Sequence, residues 1–271
     1  MKLLIEKIKL NQSSILDSIL EVLSFIKDGV YKNVLISEFN EKIKSSSGSL
    51  LNDCDSIDKL RKMLDIFYVH WKFGSAYGTY KISNILYLDE VLKTKQGSAL
   101  SLGIILIYVA KQFNINLDPI IFPTQLILSY FCKKTSKVLL INPFDGEFLD
   151  KNILTLWLQG NITPTATIQK NNLKIADNFT VICNFLHTLK LSLIEEKNMV
   201  LALKVSDVLI KIKPEDPYEI RDRGLIYAYL ECDNVAVSDL MQFIERCPHD
   251  PVSEILKMQI YVMQKKSVIL H

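Results

Sequence analysis

Residues 95–150 decide the fold: KQGSALSLGIILIYVAKQF (95–113), then PIIFPTQLILSYF (119–131) and KVLLINPFDGEFLD (137–150). Between Ala99 and Ala110 only Ser101, Gly103 and Tyr108 are not plainly apolar, so the pattern predicts a helix with no face left for water. Such a helix must be buried, and twelve residues are too few to span a bilayer. Three short runs follow, Asp118 to Pro123, Gln125 to Cys132 and Lys137 to Ile141, rich in Ile, Leu, Phe and Val and bounded by Pro and polar residues. They read as strands. The polar turn Lys133 to Ser136 makes the last two an antiparallel hairpin. Asn142, Pro143, Asp145 and Gly146 close the sheet, and Leu149 to Gln159 returns to helix with Trp157 on its apolar side.

Upstream, residues 1–93 read as helical. Ser13 or Ser14 is placed to cap a helix in which Ile15, Ile19, Val22 and Ile26 recur every three or four positions until Gly29. A second helix is expected from Lys32 to Lys44, a flexible break at Ser45 to Gly48, and a third helix from Asp55 to Phe67. The aromatic stretch that follows is punctuated by Gly74 and Gly78 and reads as a packed loop leading to a short helix near Asp89 to Leu92. It is no phosphate cradle, because Thr79 and Tyr80 stand where a Walker loop needs Lys and then Ser or Thr. His70, beside Trp71, has no second ligand at helical spacing and is expected to be structural.

Composition narrows the function classes. Of 271 residues 49% are hydrophobic and the formal net charge is +2, so no global field draws in nucleic acid or an anionic membrane. There is no secretory leader pattern and no apolar run of spanning length, which leads us to expect a cytoplasmic protein. The five cysteines, Cys54, Cys132, Cys183, Cys232 and Cys247, include no C-x-x-C pair and are expected to be buried thiols rather than a disulfide framework or zinc site. Only four arginines, Arg61, Arg221, Arg223 and Arg246, stand against 28 lysines. In so lysine-rich a chain, an arginine can mark a place that needs a planar guanidinium.

The last hundred residues carry a period. Pro214, Asp216 and Pro217 recur as Pro248, Asp250 and Pro251, each 34 positions later, the length of a tetratricopeptide repeat. Counting from Pro217, the small residues Gly224 and Ala236, the aromatic Tyr227 and the terminating Pro248 fall where that repeat wants them, and Ala202 repeats Ala236 one unit earlier. Arg223 and Phe243 depart from the pattern, one charged where an apolar residue is usual and one large where Ala is expected. Arg221 lies at the fifth position, on the face that commonly lines the groove of such repeats. It is therefore the candidate anion or carboxylate contact of a partner-binding surface that includes Tyr218 and Leu225. Arg223 is placed to pair with Glu219, four residues back.

Several blocks, LDEVLKTKQGSALSLG, IIFPTQLIL, INPFDGE and PEDPYEIRDRGLIYA, resemble the SirB family of bacterial proteins. The resemblance implies a transglutaminase-like core followed by a tetratricopeptide region. The fold class expected is mostly α with a small antiparallel sheet (α+β), comprising N-terminal helices, a degenerate core and C-terminal helical hairpins. Residues 1–160 and 161–271 are the expected domains, divided at Gly160 to Gln169.

Transglutaminase-like enzymes use a Cys at the start of the buried helix, a His on the next strand and an Asp on the one after. The resemblance places Ala99, Gln125 and Asn142 at those three positions. Alanine has no nucleophile, glutamine accepts no proton at neutral pH, and asparagine carries no charge to stabilise an imidazolium. No cysteine lies within thirty residues of Ala99. Ser98 and Ser101 are read as helix-capping residues. The expectation is thus a non-catalytic interaction or regulatory module whose degenerate pocket holds Ser98, Ser101, Gln125 and Asn142. The alternative is a hydrolase or acyltransferase using Ser101, with Gln125 or Asn142 stabilising an oxyanion. No metal and no cofactor are expected, and the expected partner is a protein or peptide, with no direct nucleic acid and no membrane.

Overall fold

The computed structural model describes residues 2–10, 12–47, 56–78 and 80–269. Gly48, Cys54, Asp55, Thr79 and His271, which enter the expectations above, lie outside the described residues. The chain divides into two compact units, Met1–Phe185 and Leu186–His271. The division falls inside a helix, and the Gly160 to Gln169 stretch lies within the first unit.

The first unit opens with α1 (Lys2–Lys9), α2 (Ile15–Ile26), α3 (Lys32–Ser47) and α4 (Ser56–Asp65), the last running into a π-helical turn at Ile66–His70. Ser14 caps α2 by accepting a bond from Asp17 N at 3.0 Å, and Ile15, Ile19, Val22 and Ile26 face inward as the periodicity requires. β1 (Gly74–Ser75), a 3₁₀ turn at Ile82–Ile85, α5 (Leu88–Thr94) and β2 (Gln96–Gly97) lead into α6 (Ala99–Gln112). From Ala99 to Ala110 every residue of α6 but Ile107 is buried.

A four-stranded antiparallel meander covers α6: β3 (Asp118–Ile121), β4 (Leu126–Cys132), β5 (Lys137–Ile141) and β6 (Phe148–Leu149), in that order. The hairpin expected across Lys133 to Ser136 is present, with Cys132 opposite Lys137. The helix expected from Leu149 starts later, as α7 (Lys151–Asn161), because Phe148 and Leu149 pair with β5 and Asp150 caps the helix by accepting from Ile153 N at 2.8 Å. Trp157 packs against Ile120, Phe122, Ile127, Leu154 and Leu158. The parallel pair of β1 with β2 was not expected, since two-residue strands carry no periodicity to read. A 3₁₀ turn at Lys170–Leu173 precedes α8 (Asn178–Glu195).

Four further helices complete the second unit: α9 (Met199–Ile212), α10 (Pro217–Tyr229), α11 (Asp233–Arg246) and α12 (Pro251–Ile269). The small repeat positions let these helices approach closely. Ala202 and Ala236 are fully buried, and a Cβ on Gly224 would lie 2.9 Å from Leu240. The large Phe243 is accommodated rather than excluded: it is fully buried among Leu240, Leu256 and Ile260 and meets Tyr218 edge-on at 5.6 Å.

Ser45 to Ser47, expected to begin a break, continue α3, and the cysteine expectation needs correction. Cys132 and Cys183 are buried, but Cys232 is exposed and Cys247 half-buried, because both cap α11, at its two ends. His70, expected to be structural, is 66% exposed and sits 3.5 Å from Asp65, five residues back, the spacing that a π turn brings together. Among the described residues no helix is long and apolar enough to cross a membrane.

Candidate functional site

The start of α6 is shaped by two serines. Ser98 is the N-cap and accepts from Ser101 N at 3.2 Å, while Ser101 Oγ accepts from Ser98 N at 2.9 Å, a complete capping box. Ser101 Oγ also donates to the Ile85 carbonyl at 2.6 Å, tying the preceding turn to the helix. Ser101 is wholly buried, and its partners among the described residues are Ser98 and Ile85, with no imidazole or carboxylate in reach of its proton. Ala99, one residue into the helix, is buried as well.

Gln125 and Asn142 do come together across the sheet. Gln125 precedes β4 and Asn142 follows β5, and Gln125 Nε2 donates to Asn142 Oδ1 over a long 3.4 Å. Asn142 is held mainly by its own turn: its Nδ2 donates to Asp145 Oδ2 at 2.9 Å, its backbone N–H to the Glu147 carbonyl, and its Oδ1 accepts from Phe144 N at 3.3 Å. An asparagine that organises a turn in this way needs both amide functions, which explains why the position is not simply apolar. Tyr68 reaches the same turn and donates to the Pro143 carbonyl at 2.8 Å. Burial, followed by the Asp145 carboxylate, pushes its phenol well above the ordinary range and keeps that donor protonated. Gly146, at φ +79°, takes the left-handed conformation beside the Tyr68 ring, where an added Cβ would lie 2.6 Å from a ring carbon.

In the second unit the three residues expected on the partner-binding surface share α10 but differ in their surroundings. The Arg221 guanidinium donates to Asp222 Oδ1 from Nε at 3.0 Å and Nη2 at 2.7 Å, and it stacks over Tyr218 and Phe243. Tyr218 donates its hydroxyl to Asp250 at 3.1 Å. Leu225 lines an open groove of about 910 Å³ with Ala228 and Tyr229 of α10 and Ile255, Met258 and Val262 of α12. Glu231 and Asp233 stand in the same lining, and neither is ion-paired among the described residues. Of the three residues expected on the partner surface only Leu225 is in this lining; Arg221 and Tyr218 are not, and sequence reasoning missed Ala228, Tyr229 and the whole α12 wall. The signal was available: Ile255, Met258, Gln259 and Val262 fall at i, i+3, i+4 and i+7, and they stay open while Leu256 and Ile260 fill the core on the other face.

The expected pairing of Arg223 with Glu219 is not made. Arg223 reaches instead to α11, where Nε and Nη2 bind the Asp239 carboxylate at 2.7 and 2.8 Å, with Asp207 of α9 at 3.5 Å. Those bonds raise the guanidinium's pKa further above its usual value. A bidentate guanidinium bridging two helices explains a charge at a repeat position that is usually apolar.

Glu219 faces a different cation. Lys190 of α8 is fully buried, and its ammonium donates to Glu219 at 2.5 Å and Asp222 at 2.7 Å. His187 Nδ1 lies 3.4 Å from the other Glu219 oxygen. Burial acts to raise the Glu219 pKa, but the bonds from His187 and Lys190 outweigh it and hold the carboxyl below the usual range. His187, Glu219 and Asp222 bring one ligand atom each within 4.8 Å of one another, which is the geometry of a cation site. The Lys190 ammonium already bonds both carboxylates, so the chain supplies that cation itself.

Comparison with known proteins follows the same division. Residues 33–187 match the model of the transglutaminase-like superfamily, and residues 189–261 match a tetratricopeptide repeat. A UPF0162 protein of Buchnera aphidicola from Schizaphis graminum is 47% identical over 264 residues, covering 97% of this chain and 98% of that protein. Protein SirB1 of Salmonella typhimurium is 51% identical over 214 residues, 79% of each chain. The UPF0162 protein YchA of Escherichia coli K12 is 50% identical over the same share. No solved structure is significantly similar to the chain.

Proposed function

The chain belongs to the SirB1 (UPF0162) family, and from that premise we propose that it works as a non-catalytic interaction module, a transglutaminase-like pseudoenzyme core joined to a repeat groove that binds a segment of another protein. The observation that carries the reading is the α10–α12 groove. Tyr229, Ile255, Met258 and Val262 are each more than half exposed on its walls and adjoin one another there. Contiguous apolar surface of this kind, rimmed by polar groups, marks a binding surface. The unpaired carboxylates of Glu231 and Asp233 favour a segment that sets apolar side chains into the groove and a basic residue against its end.

The core supports the non-catalytic half of the proposal. Ala99, Gln125 and Asn142 supply no nucleophile, base or acid, and the hydroxyls of Ser98 and Ser101 are committed to the capping box, that of Ser101 buried and donating to a carbonyl as well. The test is affinity capture with the full chain. Leu225→Asp with Met258→Asp should lose at least tenfold of a captured partner, while Ser101→Ala with Gln125→Ala should retain it. The reverse pattern would return the function to the core and revive acyl transfer.

A further inference from the structure

A second cavity, of about 260 Å³, lies in the first unit between α3 and the C-terminal end of α5, and the interaction role makes no use of it. Its lining holds three lysines, Lys42, Lys93 and Lys95, against one carboxylate, Glu38. Lys93 has a loose partner in Glu90 at 3.9 Å. Lys42 and Lys95 are ion-paired with no carboxylate among the described residues. Each ammonium lies instead over an aromatic ring, Lys42 5.3 Å from the Trp71 centroid and Lys95 4.8 Å from that of Phe73. Phe39, in the cavity wall, packs edge-on against both rings, at 5.8 and 6.3 Å, and fixes their spacing.

The backbone sets Lys95 in place. It is the C-cap of α5 at φ +66°, and its ammonium donates to the Leu92 carbonyl at the end of that helix. Left-handed backbone is unfavourable at a lysine, so the position is enforced by its surroundings. Burial, and then the charge of Lys42, bring the Lys95 amine down to about 8. Two cations that repel each other, neither ion-paired to Glu38 in the same lining, are completed by an anion.

We propose that this cavity binds a small phosphate-bearing dianion between the ammonium groups of Lys42 and Lys95. Three ammoniums and one carboxylate in the lining leave a net charge of two, which a dianion neutralises. Leu35, Phe39 and Leu92 give the cavity an apolar side, which suits a phosphate monoester with a short carbon body better than the free ion. The pH dependence follows from the groups that face the ligand. Affinity rises through about pH 6, where a phosphate monoester loses its second proton, and falls above about pH 8, where Lys95 loses its own.

The test uses the full-length protein, with glycerol phosphate and inorganic phosphate as probes in calorimetric titration at low salt. Saturable binding is expected, weakened at least tenfold by Lys42→Met and by Lys95→Met, and unchanged by Lys44→Met on the same helix outside the cavity. Tighter binding of glycerol phosphate identifies an organic phosphate as the ligand class; equal binding identifies free phosphate. A readout without mutation is the pH profile of acetic anhydride labelling: Lys95 should label with a midpoint near 8 and be protected by glycerol phosphate. No saturable heat, binding by both Met variants as tight as by wild type, or labelling of Lys95 like an exposed lysine without protection would overturn the proposal.

Discussion

Gly97 packs so tightly under the first turn of α6 that an added Cβ would lie 2.6 Å from Ser101 Oγ and 3.0 Å from side-chain atoms of Leu102 and Val91. A methyl group there must displace the capping box itself. Gly97→Ala should therefore destabilise the first unit by about 1–3 kcal/mol. Gly160→Ala, where nothing lies within 4 Å, should be neutral or stabilise by up to about 1 kcal/mol. Urea unfolding followed by tryptophan fluorescence separates the two, because Trp71 and Trp157 both belong to the first unit. Equal midpoints for the two variants would show that the cap can shift. The same readout applies to Tyr68→Phe, which deletes the bond to Pro143 and should cost about 1 kcal/mol. At this scale the expectation of a degenerate core rested on the resemblance, which placed Ala99, Gln125 and Asn142 at three positions, and on what those side chains can do. The tie from Ser101 to Ile85 was hidden, because it joins two elements sixteen residues apart with α5 and β2 between them, a tertiary contact that no periodicity encodes.

α6 was readable from sequence because a helix that is apolar all round has one solution, burial beneath a sheet. α10 was harder. Its arginines and carboxylates answer partners on neighbouring helices: Arg223 to Asp239 on α11, and Glu219 and Asp222 to Lys190 on α8. A same-helix spacing rule cannot find such pairs. The Lys190 network makes two predictions. Lys190→Met leaves Glu219 and Asp222 buried without their cation and should destabilise the second unit by about 3–5 kcal/mol. The change is seen as lost amide-exchange protection in α10, and protection equal to wild type would count against the network. The second concerns acid. The Glu219 carboxyl is held below its ordinary value of 4.5, so its contribution is complete above pH 4.5 and lost as pH falls through the lower folded value. Exchange protection in α10 should fall below pH 4.5, and Glu219→Gln should flatten that dependence.

At the scale of the whole molecule, the two family matches and the two compact units agree on a chain of two parts, a transglutaminase-like region and a tetratricopeptide region. That plan was legible because the first region carries short family-like blocks and the second a 34-residue period. Of the groove lining the sequence reading named Leu225 and neither Tyr229 nor any residue of α12, since α12 presents apolar residues on two faces and sequence alone does not say which one the core takes. If the groove is the working surface, a photo-reactive amino acid at Met258 will crosslink in living cells to one discrete protein, and the same probe at exposed Phe131 of β4 will not. A crosslink from Phe131 and none from Met258 would contradict the proposed interaction surface and place the partner on the core.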